Sequence, residues 1–169
     1  EVLESIISST KDVSISPLWY DVTDESPIDE KKKVGVLMSF YYWMINGSMG
    51  FAPGKISLAG TNFGVHPNYV DSSSNIFEVD WQPGGCIMHR RENILLEDYY
   101  PYSGKAHFED LIHSHLLKKS GISLFVSIKA KCMAKLNPRL LFRGELYFDY
   151  KARLYFVKLT NLSIVRMHI

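Results

Sequence analysis

The stretches VDWQPGGCIMHRR (residues 79–91) and HFEDLIHSHLLKKSGISLF (residues 107–125) decide how the rest of this chain is read. Three signals follow one another there. Ile76 to Trp81 has the composition of a short strand and runs into a Pro-Gly-Gly turn at residues 83–85. Cys86, Ile87 and Met88 then read as a buried apolar run ending on Arg90 and Arg91. Further on, Glu109 and Asp110 open a segment that closes on Lys118 and Lys119, with Gly121 just beyond. Acids in a first turn, bases in a last turn and a glycine stop are the preferences of a helix, so a helix is expected between them. Ile122 to Ser127 follows as a buried strand.

Outward from this segment the chain keeps alternating between helical and strand-like patterns. Glu1 to Ser9 places Val2, Leu3, Ile6 and Ile7 on one helical face and begins without a capping residue, as a helix already under way. Val13 to Trp19 alternates apolar and small residues around a proline and reads as a strand. Asp21 to Lys33 is a polar, solvated loop. Val34 to Met49 is apolar and aromatic, and periodicity leaves helix and strand open. Glycines at 47, 50, 54, 60 and 64 mark turns around a short strand, Lys55 to Ala59, and Asp71 to Asn75 reads as a loop. Glu145 to Ile169 reads as one long amphipathic helix, with Leu146, Tyr150, Leu154, Val157 and Leu162 among its apolar positions. The expected fold class is α/β, residues 1–144 forming the main unit and residues 145–169 the C-terminal amphipathic helix.

Composition sets the bounds. With 169 residues and 46% apolar content the chain is one domain, or a large part of one, with enough apolar side chains for a core. Ten Tyr and three Trp suit a ligand cleft, and a packed α/β domain equally well. Cys86 and Cys132 lie in apolar or strand-like surroundings and are expected to be reduced and buried. No apolar run reaches the length of a membrane span and no signal peptide opens the chain, so a soluble cytoplasmic protein is expected.

The net charge of +1 hides an asymmetry. Ten Lys/Arg face sixteen Asp/Glu up to Ile128; from Lys129 onward there are nine against two. A basic C-terminal segment rich in aromatic and aliphatic residues suggests peripheral contact with an anionic membrane surface, the inner face of the plasma membrane. A solvated or intramolecularly paired basic face is the alternative. No nucleic-acid fold signature accompanies the charge, so nucleic acid is not an expected partner.

The ordered set Trp81, Pro83, Gly84, Gly85, Arg90, Arg91, Glu109, Asp110, Lys119 and Gly121 resembles the acceptor-side half of family 2 glycosyltransferases. These are inverting enzymes of the GT-A fold that take sugars from nucleotide-sugars. In bacterial members a Trp-x-Pro-Gly-Gly turn leads into a strand ending Arg-Arg, and a Glu-Asp pair opens a helix that finishes Lys-x-Gly. Each motif is weak alone; their order over some forty residues carries the resemblance. It extends less sharply from residue 1 to about Lys158, and Lys55 to Gly64 resembles a glycine-bounded segment that precedes the turn in the family.

The resemblance implies a partial GT-A mixed sheet flanked by helices. It implies a nucleotide-sugar donor, a glycan or lipid-linked acceptor, and a place in cell-surface polysaccharide or glycolipid assembly. Asp110 would be the base that deprotonates the acceptor hydroxyl, and Glu109 would position the acceptor or support the loop. Gly84 and Gly85 would let backbone approach a sugar closely, and Trp81 would be a platform for its ring or a plain core residue. Arg90 and Arg91 would reach a diphosphate or an anionic acceptor, or form surface ion pairs.

A divalent metal, Mn²⁺ or Mg²⁺, would meet the leaving diphosphate, with its ligands mostly outside this chain. The family's Asp-x-Asp triplet does not occur here, so the donor-binding half is expected upstream and the fragment alone is expected to be inactive. Where members carry Ala-x-x-x-His after the last strand, this chain runs from Ala130 to Lys135 without a histidine. Six histidines are present, but His113 and His115 stand two apart on a helix and point in different directions, so no metal site is assigned within the chain. The rival function is a non-catalytic carbohydrate-binding or scaffold domain derived from the same fold.

Overall fold

A computed structural model describes residues 1–28, 35–47, 52–67, 75–103, 106–135 and 143–169, with backbone only for residues 143 and 144. In chain order the elements are α1 (Val2–Ser9), β1 (Val13–Asp21), α2 (Val36–Asn46), β2 (Ile76–Glu78), β3 (Met88–His89), a 3-10 turn (Arg91–Asn93), α3 (Glu109–Lys119), β4 (Ser123–Ala134), α4 (Arg143–Leu159) and α5 (Ile164–His168). The strands form one mixed sheet in the order β2-β4-β1-β3, flanked by helices.

β1 and β4 are the centre of this sheet and run parallel, from Val13 opposite Ser123 to Asp21 opposite Ala134. Val13 to Leu18 is buried at every position, as a parallel strand covered on both faces must be. The pairing slips between Pro17, opposite Ser127, and Leu18, opposite Lys131. Proline has no N–H for the ladder, and it sits where the ladder is broken. The outer strands pair antiparallel: β2 on β4, with Phe77 opposite Val126, and β3 on β1, with Ile15 opposite Met88.

Two apolar clusters hold the layers together. One joins Leu18, Val65, Val79, Leu117, Ile122, Leu124 and Val126; the other joins Trp81, Leu111, Ile112 and Phe156. Helix α3 contributes to both, Leu117 to the first and Leu111 and Ile112 to the second, so its position is fixed along its length. Helix α4 buries Ala152, Phe156 and Val157 completely and thereby closes the second cluster.

Several sequence expectations are corrected by the structure. The single helix expected over residues 145–169 is two helices, because the chain turns at Thr160 to Ser163, where Asn161 takes a left-handed conformation (φ 55°). The run Cys86-Ile87-Met88 is not buried: Cys86 and Ile87 are half-buried and Met88 is 39% exposed, since β3 is an edge strand of two residues. Cys132 is likewise half-buried. The strand expected over Lys55–Ala59 is a loop closed by one bridge, Ile56 to Asn62. β1 continues past the expected Trp19 to Asp21, β4 continues past Ser127 to Ala134, and β2 ends at Glu78, short of Trp81.

The ambiguous segment at 34–49 is helical over Val36–Asn46. Residues 71–74 of the expected loop, and residues 29–33 of the acidic-to-basic loop, lie outside the described residues. The basic C-terminal segment is partly engaged within the molecule. Arg153 donates to the Ala59 carbonyl at 2.9 Å, Arg166 donates to the Met44 carbonyl at 2.9 Å, and Lys131 lies over the Tyr20 ring. Helix α2 exposes Val36, Leu37, Phe40 and Trp43. Among the described residues no helix is long and apolar enough to cross a membrane.

Candidate functional site

The site is built outward from Gln82, a fully buried amide. Its Nε2 donates to the Phe125 carbonyl at 2.6 Å and the Ser14 carbonyl at 3.1 Å, and its Oε1 accepts from the Ser14 hydroxyl at 2.7 Å. Its backbone N–H donates to Ser114 Oγ on α3 at 2.9 Å. One residue thus ties the two central strands and the helix to the start of the Pro83-Gly84-Gly85 turn. A buried polar group costs little when every hydrogen bond is made, and a well-satisfied one fixes geometry.

The turn needs its glycines for space. A Cβ on Gly85 would stand 2.6 Å from the Trp19 ring, so the backbone lies flat against that indole. A Cβ on Gly84 would stand 3.4 Å from Glu109 Oε2 and 3.7 Å from Asp110 Cβ. At Gly84 the turn therefore lies directly against the first two residues of α3. Phe108, the residue before α3, has φ 58° and ψ 12°, a left-handed conformation that is costly for a bulky side chain. This kink sets the direction in which Glu109 and Asp110 enter the helix, while the Phe108 ring stays on the core beside Phe156.

Between these walls lies a cleft of about 560 Å³, the size of a small-ligand site. Trp19, Trp81, Gly84, Gly85, Glu109 and Asp110 line it, with Asn62, His107 and, from α4, Asp149. A separate void of about 20 Å³ behind Trp19 and Trp81 is too small for anything larger than a water.

The acidic groups are individually held. Asp110 Oδ1 accepts from the Leu111 N–H at 3.0 Å. Glu109 Oε1 accepts a short hydrogen bond from the Tyr99 hydroxyl. Burial and the neighbouring Glu109 push the Tyr99 phenol well above its ordinary range, so Tyr99 stays a donor at any physiological pH. His107, just ahead of α3, is 9% exposed, its Nδ1 lies 3.4 Å from Asp149 Oδ1, and its carbonyl accepts from Tyr100 at 2.8 Å. Behind Glu109, His113 sits 5.7 Å from the Tyr99 ring and 6.2 Å from His89. Burial holds both histidines below their usual pKa, and the proximity of His113 adds to the shift at His89.

Of the residues expected from sequence, the cleft brings together Trp81, Gly84, Gly85, Glu109 and Asp110. Trp81 is both things at once: 9% exposed, its Nε1 donating to the Phe63 carbonyl at 2.9 Å, with one edge on the cleft. Arg90 and Arg91 stand elsewhere. Arg90 reaches the carbonyls of Ile7 and Ser8 at 3.2 and 3.1 Å and so closes the end of α1, while Arg91 starts the exposed 3-10 turn. No known protein family, curated protein or solved structure matches this chain.

Sequence reading missed Trp19, Asn62 and Asp149, and weighed His107, beside the two acids, only as a metal ligand. Trp19 was visible only as the end of a strand, and Asp149 as a polar position on a helix far along the chain. Neither pattern signals a shared cavity. For a metal the fit is poor: Glu109 is engaged by Tyr99 and His107 by Asp149, and among the described residues no three His, Cys, Asp or Glu side chains are grouped to hold an ion.

Proposed function

We propose that this chain is the acceptor-side part of an inverting glycosyltransferase of the GT-A type, with Asp110 as the base. What carries the reading is the pairing of Glu109 and Asp110 with the Gly84-Gly85 backbone across an open cleft walled by Trp19 and Trp81. A sugar ring needs an aromatic face, close backbone and a few fixed polar groups, and the cleft supplies each.

In the proposed step an acceptor hydroxyl hydrogen-bonds to Asp110. Its proton passes to the Asp110 carboxylate as its oxygen attacks the anomeric carbon of the donor sugar. The bond from that carbon to the nucleotide diphosphate breaks on the opposite face, and the electron pair leaves with the diphosphate. Glu109, fixed by Tyr99, orients the acceptor. The reading gives this cleft no contact with the donor's phosphates, since three carboxylates line it, and it routes no step through a metal ion.

The test is sugar transfer by the full-length protein across a nucleotide-sugar panel, wild type against Asp110→Asn. Loss of a general base costs roughly 10²–10⁴-fold in rate, and that loss with an unchanged fold is the expected result. Equal activity in both proteins would reduce the acidic pair to a helix-start feature. Sugar binding without transfer in the wild type would point to the non-catalytic binding domain instead.

A further inference from the structure

The charge of the cleft is one-sided. Glu109, Asp110 and Asp149 line it, and among its described lining residues there is no lysine or arginine. The whole chain is nearly neutral, so this is a local choice. The cations outside the lining hold other partners: Arg153, one turn along α4 and close enough to feel the Asp149 charge, donates to Ala59 and Thr61, Arg90 donates to the end of α1, and Lys118 to Asp80 at 2.7 Å. Lys135, one residue past Ala134 at the edge, is exposed and outside the lining.

Asp149 differs from the acidic pair in origin and support. It comes from α4, and its side chain is 43% exposed. Its Oδ1 faces the nearly buried His107 ring, and His107 is itself anchored through its carbonyl by Tyr100. A carboxylate steadied on one oxygen keeps the other for a ligand, where it can accept a hydrogen bond from a hydroxyl or ammonium group and can donate none.

We propose that the cleft takes a hydroxyl-rich sugar that carries no negative charge, prefers one bearing a free ammonium group, and reads that group through Asp149. This rests on the glycosyl-acceptor reading above and narrows its substrate class. A carboxylate or phosphate on the bound ring would meet three like charges in a partly enclosed site. An ammonium group would meet three opposite ones, and complementarity of this kind sets specificity.

The test is equilibrium binding by this chain at pH 7 and low salt, followed by tryptophan fluorescence, since Trp19 and Trp81 line the cleft. The probes are a methyl glucosaminide with a free amine, the methyl glucoside and the methyl glucuronide. The expected order is amine, then neutral, then uronide, with the uronide at least about tenfold weaker than the neutral sugar. Asp149→Asn is expected to erase most of the amine's advantage over the neutral sugar, read as the ratio of their two affinities. A uronide bound as tightly as the glucoside, or an amine preference untouched by Asp149→Asn, would overturn the inference and leave the carbohydrate reading standing. Failure of all three sugars to bind would overturn both.

Discussion

Ser114, in the second turn of α3, accepts the backbone N–H of Gln82 at 2.9 Å, so the helix bearing Glu109 and Asp110 and the turn that faces them are one hydrogen-bonded unit. Both residues are fully buried. The two walls of the cleft are therefore set by a contact inside the core and do not depend on the loops between them. Ser114→Ala leaves one buried N–H without its partner, which costs about 1–3 kcal/mol. Gln82→Leu fills the same volume but abandons the Ser14 hydroxyl and the Ser14 and Phe125 carbonyls together, and is expected to cost more. Urea unfolding with an unchanged denaturant slope checks the order.

The two glycines of the turn are expected to respond differently to a methyl group. Gly85→Ala drives a Cβ to 2.6 Å from the ring of Trp19, whose backbone is held in β1 opposite Cys132. Overpacking of this kind costs about 1–3 kcal/mol and should alter Trp19 emission. Gly84→Ala meets Glu109 Oε2 at 3.4 Å, an ordinary van der Waals approach, so stability should hold within about 0.5 kcal/mol. Its effect should appear in sugar binding, because the added methyl stands in the cleft.

His89 and His113 give stability a pH dependence whose sign follows from their burial. Both are held below the ordinary histidine pKa in the fold, chiefly by desolvation, and His89 Nδ1 is buried without a hydrogen-bond partner. The folded state thus favours the neutral rings. Their contribution is complete above the unfolded value of about 6.5 and is lost as pH falls from there through the lowered folded values. Asp80, lowered by Lys118 and Lys55 against its own desolvation, acts in a separate window, below the ordinary carboxylate value. The urea midpoint should fall between pH 7.5 and 5.5, and the double variant His89→Gln/His113→Gln should flatten that slope.

The helix from Glu109 to Lys119 was legible because its charges, its stop and its flanking strand agree. The cleft was half legible. Local motifs gave Trp81, the glycines and the acidic pair, since these lie at the joints between adjacent elements. Trp19 and Asp149 come to the cleft only through the parallel pairing of β1 with β4 and the docking of α4. Pairing across a hundred residues of sequence leaves no periodic trace. Arg90 was misplaced for a similar reason: its partners are carbonyls at the end of α1, and a main-chain oxygen carries no residue identity for a reader of sequence to find.

The break between α4 and α5 shows the same limit at a single residue and yields the last prediction. Helices α3 and α4 end in the same motif. Gly121 N–H donates to the Lys118 carbonyl and Ile122 N–H to the Leu117 carbonyl, each at 3.0 Å; Asn161 N–H donates to Lys158 at 3.3 Å and Leu162 N–H to Val157 at 2.9 Å. In each case the first of the pair is left-handed, φ 86° at Gly121 and φ 55° at Asn161, and the second returns its side chain to the core. Glycine announces such a stop and asparagine does so only weakly, so the amphipathic pattern of residues 145–169 read through it. Ser163 then caps α5 by accepting the Arg166 N–H. If the motif terminates α4, the two positions should trade in opposite directions. Asn161→Gly removes the left-handed penalty and should be neutral to stabilising by up to about 1 kcal/mol, whereas Gly121→Ala, with open space around its Cβ, should cost about 1–2 kcal/mol from backbone strain alone. Thermal unfolding of both variants decides it, and a destabilised Asn161→Gly would mean that the asparagine side chain, not the backbone turn, ends the helix.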